Sequence, residues 1–210
     1  MSRRTKAVVG LVLFCAFAGW MYRSSVFRPA ENFHVVDEGR FYRMAQPRPE
    51  ELEALVKKYG IKTVINLRGH QSGEWWYDDE AAATKKLGIK QVDIGFSTEN
   101  VQFKDDWITY LDTLKTAERP ILVHCRSGAD RTSEASAVYA IEYMGKSPEL
   151  AIEDHMALSN LHLSLFIPAK KQFVRNYKGD QWLRTAYDPC APEFLEWAGN
   201  RCPTPPTVAK

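Results

Sequence analysis

The residues best suited to chemistry lie in one short stretch, where five residues separate Cys125 from Arg131. A cysteine can act as a thiolate nucleophile. An arginine can hold two phosphate oxygens with its planar fork of donors. Combined with a ring of backbone N–H donors, these two side chains would suit displacement at a phosphate monoester.

The sequence around this pair predicts the elements that would position it. Residues 120–124 form a short apolar run typical of a buried strand, residues 126–130 a tight loop, and Arg131–Met144 a helix. A loop between a strand end and a helix N-terminus can aim backbone N–H groups at an anion. These donors and the positive end of the helix would lower the pKa of Cys125 and leave a thiolate at neutral pH.

The rest of the chain alternates between strand and helix patterns. A hairpin is predicted at 33–36 and 41–43, with further strands at 62–67 and 89–94. Helices are predicted at 49–59, 80–87, 103–116, 147–159, 168–177 and 192–197. This alternation indicates an α/β fold with a mainly parallel central sheet flanked by helices. Ligands in such folds bind beyond the carboxyl ends of the strands, where Cys125 is expected.

Residues 1–28 differ in character from the remainder. A basic cluster at 3–6 precedes an uncharged run at 7–22, which would span about 24 Å as one N-terminal hydrophobic helix. The basic cluster predicts a signal anchor, and the Ala-Phe-Ala pattern at 16–18 leaves a cleaved signal peptide as the alternative. Both interpretations place the main domain outside the cytosol, either in a single-pass membrane protein attached by this helix or in a secreted one.

The three cysteines beyond residue 28 have different expected fates. Cys190 and Cys202 both lie near the C-terminus, and in an oxidising compartment they could form a disulfide worth about 3 kcal/mol. Two free thiols are the alternative. No C-x-x-C motif or histidine cluster accompanies them, so we expect no zinc or other metal site. Cys125 remains as a candidate reactive thiol.

The stretch His124-Cys125-x5-Arg131-Thr132 resembles the signature of cysteine-dependent phosphatases. The resemblance is strongest to the dual-specificity, tyrosine-phosphatase-like branch and its small bacterial members, which segments 41–47 and 60–68 also resemble. It covers about residues 34–165. It implies a phosphatase catalytic domain at 29–180, between the N-terminal segment 1–28 and a C-terminal tail at 181–210.

The resemblance implies a role for each residue of the stretch. Cys125 matches the nucleophile that forms a phosphocysteine, and Arg131 matches the arginine that clamps the phosphate. Thr132 matches the hydroxyl that stabilises the thiolate. His124 matches the histidine that orders the loop, although an ordinary buried histidine is an alternative interpretation. The phosphate-binding loop would consist of Arg126, Ser127, Gly128, Ala129, Asp130 and Arg131.

The general acid, which protonates the leaving group, is left open by the resemblance. In this family it is usually an aspartate on a loop before the nucleophile strand. Glu99 lies nearest to that place, and Asp93 is a second candidate. Asp130 is a third, because Gly-x-Asp-Arg-Thr resembles the loop of myotubularin-like phosphoinositide phosphatases. Arg68 would either form a structural ion pair or bind a second phosphate.

These residues predict hydrolysis of phosphate monoesters through a phosphocysteine, without metal or cofactor. The substrate would be a phosphorylated protein or a small phosphorylated molecule; phosphoinositides, inositol phosphates and lipid phosphates are the alternatives. A non-catalytic phosphate-binding module is a further alternative. A rhodanese-like sulfur-transfer enzyme is disfavoured, because its loop is typically one residue shorter. The net charge of +2 argues against a nucleic-acid partner.

Overall fold

A computed structural model describes residues 5, 10, 12–14, 16, 31–163, 167–199 and 202 of the chain. The chain forms two compact units, Met1–Ala30 and Glu31–Lys210. The sheet and the stretch that contains Cys125 belong to the second unit.

A five-stranded sheet forms the centre of the second unit. Its strands are β1 (His34–Asp37), β2 (Phe41–Met44), β3 (Thr63–Asn66), β4 (Lys90–Asp93) and β5 (Ile121–His124). Their order is β1-β2-β5-β3-β4, with β1 antiparallel to β2 and the other pairs parallel. The predicted α/β fold is confirmed. The sheet is mixed, because the N-terminal hairpin adds its antiparallel strand at one edge.

Helices connect the strands and continue beyond the last one. They are α1 (Pro49–Tyr59), α2 (Trp75–Leu87), α3 (Lys104–Thr116), α4 (Arg131–Met144), α5 (Pro148–His155), α6 (Pro168–Asn176), α7 (Asp180–Thr185) and α8 (Pro192–Leu195). Short 3₁₀ helices lie at Leu158–Asn160 and Glu196–Ala198. Four of the helices begin with proline, whose fixed φ suits the first helical position.

Both faces of the sheet are buried, and β5 explains why its sequence is an unbroken apolar run. Ile121 and Val123 belong to a large core that also contains Trp107 and Phe173. Leu122, between them, belongs to a smaller core on the opposite face. Successive strand residues point to opposite faces, so a central strand covered on both sides must be apolar throughout. This burial fixes the position of Cys125 at the end of β5.

The start of α2 differs from the sequence prediction. α2 begins at Trp75 and not at residue 80, so the Trp75-Trp76-Tyr77 segment forms its first turn. Aromatic residues have only modest helix propensity, and the contacts of Trp76 and Tyr77 with other parts of the chain favour the longer helix.

The predicted N-terminal hydrophobic helix lies mostly outside the described residues. Among the residues that are described, no helix has the length and apolar character needed to cross a membrane. The longest described helix of the second unit, α4, has 14 residues and spans about 21 Å, against about 30 Å of bilayer core. The prediction of single-pass membrane localisation is therefore wrong. Membrane attachment through the predicted N-terminal helix is not supported.

Candidate active site

Cys125 lies where the central strand of the sheet meets the N-terminus of a helix. β5 ends at His124, residues 126–130 form a loop, and α4 begins at Arg131. The cysteine is only 2% exposed. The carboxyl edge of β5 therefore presents a thiol within a tight loop, as the sequence predicts.

Gly128 lets the loop pass close to the end of β2. Its φ is +69°, in the left-handed region. A Cβ at this position would lie 2.8 Å from the carbonyl carbon and oxygen of Met44 and 2.9 Å from the nitrogen of Ala45. Only glycine combines this backbone angle with such a close approach.

Donors outside the loop hold its carbonyl groups away from the thiol. The N–H of Gln46 donates to Arg126 at 3.2 Å, the Asn32 amide donates to Ser127 at 3.0 Å, and the Arg43 guanidinium donates to Gly128. A peptide unit whose carbonyl points outward directs an N–H group inward, which is the arrangement of an anion-binding nest. The loop thus offers backbone donors to the sulfur and to an anion beside it.

The pKa of the Cys125 thiol lies below its ordinary value. Burial alone would raise the pKa, but the positive charge of Arg131 and hydrogen bonds from Thr132 and the Gly128 N–H outweigh burial. The buried Thr132 hydroxyl has no other hydrogen-bond partner among the described residues, so it is available to the sulfur. The environment favours the nucleophilic thiolate.

Arg131 is 9% exposed and lies at the N-terminus of α4. Its Nη1 donates to the Leu67 carbonyl, beyond the end of β3, at 3.1 Å. This bond orients the guanidinium toward the edge of the sheet. Its other donors have no hydrogen-bond partner among the described residues, so they are available to an anion. The bidentate geometry of arginine suits phosphate oxygens.

His124 belongs to a fully buried hydrogen-bonded pair. Its Nε2 lies 2.6 Å from Oε1 of Glu80, and both side chains have no solvent exposure. The other carboxylate oxygen of Glu80 accepts a hydrogen bond from Gln46 at 2.6 Å. Glu80 therefore fixes the orientation of the His124 ring beside the cysteine. The sequence analysis did not identify this role, because the sequence around Glu80 is that of an ordinary polar helix position.

Asp93, one candidate general acid, is held in its ionised form. Its carboxylate accepts hydrogen bonds from Asn66 and Gln91 at 2.9 Å and from the Tyr77 hydroxyl at 2.7 Å. Burial would raise its pKa, but these bonds and nearby His70 bring it below the ordinary value. A carboxylate stabilised in this way is a poor proton donor.

Asp130 lies inside the loop and has a defined partner. Its Oδ1 is 2.8 Å from Nδ1 of His162, whose side chain is fully buried. The Asp130 side chain is 31% exposed, and its Oδ2 has no hydrogen-bond partner in the part of the chain that the structure describes. One oxygen is thus anchored and the other remains available.

Glu99 lies on the loop between β4 and α3 and is exposed. The loop itself is anchored by Lys170, whose buried Nζ donates to the Ser97 carbonyl at 2.8 Å, the Asn100 carbonyl at 3.0 Å and the Glu134 carboxylate at 3.1 Å. Glu134 belongs to the first turn of α4. The loop is therefore tied to the helix that carries Arg131, but no described contact orients the Glu99 carboxylate.

Away from this site, Cys190 and Cys202 are joined by a disulfide, with their Cα atoms 4.9 Å apart. Cys125 is the free cysteine among the described residues. The described residues contain no group of three or more histidine, cysteine, aspartate or glutamate side chains that could hold a metal ion.

Comparison with known proteins identifies similar sequences and structures. Residues 16–175 match the family described as DSP-PTPase phosphatase fused to NAD+ kinase. The chain is 28% identical over 115 residues to the dual specificity protein phosphatase TpbA of Pseudomonas aeruginosa, a match covering 54% of this chain and 48% of TpbA. It is 33% identical over 111 residues to the inositol diphosphatase SIW14 of Saccharomyces cerevisiae, covering 50% of this chain and 37% of SIW14.

Solved structures share the fold. The core catalytic domain of SIW14 superposes with a TM-score of 0.60 at 23% identity, covering 75% of this chain and 92% of that one. TpbA gives 0.59 at 23% identity, covering 76% and 92%. The chain spans about half the length of TpbA, and 37% of the length of SIW14. The family match extends over most of the chain, so the protein belongs to the DSP-PTPase phosphatase family.

Proposed function

We propose that this protein is a cysteine-dependent phosphatase that hydrolyses phosphate monoesters. The observation that carries the proposal is the Cys125 thiol, which has a lowered pKa and lies in a loop of inward donors beside Arg131. Family membership supports the same reaction class. TpbA is named a dual specificity protein phosphatase and SIW14 an inositol diphosphatase, so phosphoproteins and inositol phosphates are the candidate substrate classes.

In the proposed reaction the Cys125 thiolate attacks phosphorus opposite the leaving oxygen. The S–P bond forms as the P–O bond breaks, giving a phosphocysteine and an alcohol. Arg131 and the loop N–H groups from Arg126 to Asp130 hold the charge on the phosphoryl oxygens. Water then attacks the phosphocysteine and gives its proton to the general acid, which the first step left deprotonated. Phosphate is released, and the thiolate is regenerated and stabilised by Thr132.

Asp130 is the general acid that we favour. Catalytic proton transfer requires a donor in a defined position, and His162 anchors one Asp130 oxygen while the other is available. Glu99 is the alternative, on a loop that Lys170 fixes beside α4. Asp93 is set aside, because three hydrogen bonds stabilise its ionised form.

The test is phosphate release from an aryl phosphate, a phosphotyrosyl peptide, a phosphoseryl peptide and an inositol polyphosphate. We expect Cys125→Ser to abolish release and Arg131→Lys to lower kcat/KM at least about 100-fold, because lysine cannot form the bidentate contact. Arg175→Gln, at an exposed arginine on α6, is the control and should behave like the wild type. Unchanged turnover by Cys125→Ser would contradict the mechanism.

The leaving group distinguishes the two candidate acids. Without its general acid, a phosphatase slows most on substrates whose leaving alcohol has a high pKa. We expect Asp130→Asn to slow phenyl phosphate more than p-nitrophenyl phosphate, and Glu99→Gln to slow both little. The reverse pattern would assign the proton transfer to Glu99.

A further inference from the structure

Arg68 lies just after β3, beside the Cys125 loop, in a defined orientation. Its guanidinium carbon lies 3.1 Å from the ring centroid of Trp76. Its Nη1 donates to the side-chain oxygen of Gln46 at 2.9 Å. A planar guanidinium stacked on an indole and hydrogen-bonded at one end is restricted to few orientations.

Its hydrogen-bond partner Gln46 and its neighbour Leu67 connect Arg68 to the phosphate loop. Gln46, which accepts from Arg68, donates its backbone N–H to the carbonyl of Arg126. Arg131 donates to the carbonyl of Leu67, the residue before Arg68. The backbone of Arg68 is therefore next to the Arg131 contact, and its side chain is tied to the first residue of the loop.

Arg68 forms no ion pair with any carboxylate among the described residues, contrary to the structural pair considered from sequence. Its Nε and Nη2 have no hydrogen-bond partner there, and neither is a buried unpaired atom. Burial and the positive charges of Arg131 and Arg126 lower its pKa to about 10, so it stays charged at neutral pH. Converging positive charges with free donors form a site for an anion.

We propose that Arg68 forms a second anion subsite beside the Cys125 loop, for a ligand that carries a second phosphate close to the one bound by Arg131. The inference rests on the proposed function, because it takes the loop as the site of the first phosphate. The ligand class is a diphosphate or two phosphates on adjacent carbons. The contacts with Trp76 and Gln46 already restrict the orientation of the Arg68 guanidinium. Ligand binding therefore costs little side-chain conformational entropy.

The test measures binding without turnover. Cys125→Ser protein is titrated by calorimetry with inorganic phosphate, with methylenediphosphonate, which does not hydrolyse at its P–C–P bridge, and with a vicinal inositol bisphosphate. We expect at least one of the two ligands with two phosphorus groups to bind about 10-fold or more tightly than phosphate, since a charge-assisted bidentate contact has at least that effect. Which of the two binds more tightly identifies the spacing of the phosphates.

Arg68→Gln in the same background tests the residue. It should reduce the ratio of phosphate Kd to methylenediphosphonate or bisphosphate Kd to near one, whereas Arg175→Gln should keep the ratio of the parent. Arg68→Lys, which retains the charge without the fork, should give an intermediate ratio. A ratio that is the same in Arg68→Gln and its parent would overturn the subsite. So would the absence of any preference for methylenediphosphonate or the bisphosphate over phosphate.

Failure of the subsite and failure of the proposed activity give different results. Aryl phosphate turnover by the wild-type protein tests the phosphatase and does not require Arg68 to meet a second phosphate. An active enzyme that binds neither methylenediphosphonate nor the bisphosphate more tightly than phosphate would reject the subsite alone. An inactive wild-type protein that shows the Arg68-dependent preference would reject the phosphatase and keep the subsite.

Discussion

Gly128→Ala would test whether the loop depends on its close approach to β2. The new Cβ would lie 2.8 Å from two backbone atoms of Met44 and 2.9 Å from the nitrogen of Ala45. Backbone atoms cannot rotate away as a flexible side chain can. The loop must therefore move by several tenths of an ångström, and its N–H groups must move with it.

Two contributions set the expected loss of stability. A non-glycine residue in the left-handed region costs about 1–2 kcal/mol, and overpacking against a fixed wall adds about 1–3 kcal/mol. Gly145 at the end of α4 separates the two, because its φ is +68° but nothing lies within 4 Å of a Cβ built there. Gly145→Ala should therefore lose only the first contribution, and Gly128→Ala the sum, about 2–5 kcal/mol.

Urea unfolding gives the stability of each variant. Aryl phosphate turnover, measured without urea at a temperature where each variant is fully folded, gives its activity. Gly145→Ala should retain wild-type kcat/KM, while Gly128→Ala should lose about 10-fold or more, because displaced N–H donors no longer face the phosphate. Equal stability and equal activity of the two variants would refute this account of the loop.

Three further outcomes follow from the contacts around the site. Glu80→Gln should cost about 2 kcal/mol in urea unfolding and lower kcat/KM, because it weakens a fully buried hydrogen-bonded contact with His124. Exposed Glu53→Gln should cost under about 0.5 kcal/mol, and equal losses would contradict this. Lys170→Met should cost about 3–5 kcal/mol, since it leaves the Glu134 carboxylate buried without its cation; adding Glu134→Gln should recover part of that loss, and no recovery would argue against the pair. Thr132→Val removes a donor to the thiolate, so the pKa of Cys125 should rise and the pH profile of its alkylation by iodoacetamide should shift to higher pH; an unshifted profile would remove Thr132 from the stabilisation of the thiolate.

The parts of the fold that local sequence determines were predictable. Burial requires β5 to be apolar, and the loop after it requires the backbone freedom of glycine. Both elements could be predicted from residues 120–133. The helices that begin with proline could also be predicted, because the fixed φ of proline suits the first helical position. From these patterns alone the position of Cys125 at the end of a central strand could be inferred.

The parts that depend on distant contacts were not predictable. Glu80 and His124 are 44 residues apart, and nothing in the helical sequence around Glu80 distinguishes a buried carboxylate from a solvated one. His162 and Asp130 are 32 residues apart, so the partner of the in-loop acid was equally hidden. The stacking of Arg68 on Trp76 required the true start of α2, which the weak helix propensity of its aromatic residues concealed.

Trapping of the covalent intermediate tests the central claim most directly. The wild-type protein is mixed with an aryl phosphate, quenched in acid within milliseconds and examined by intact-mass and peptide mass spectrometry. We expect one added phosphoryl group, located on Cys125, that disappears as substrate is exhausted and is absent from Cys125→Ser. Steady turnover with no adduct on Cys125, or an equal rate of phosphate release by Cys125→Ser, would contradict it.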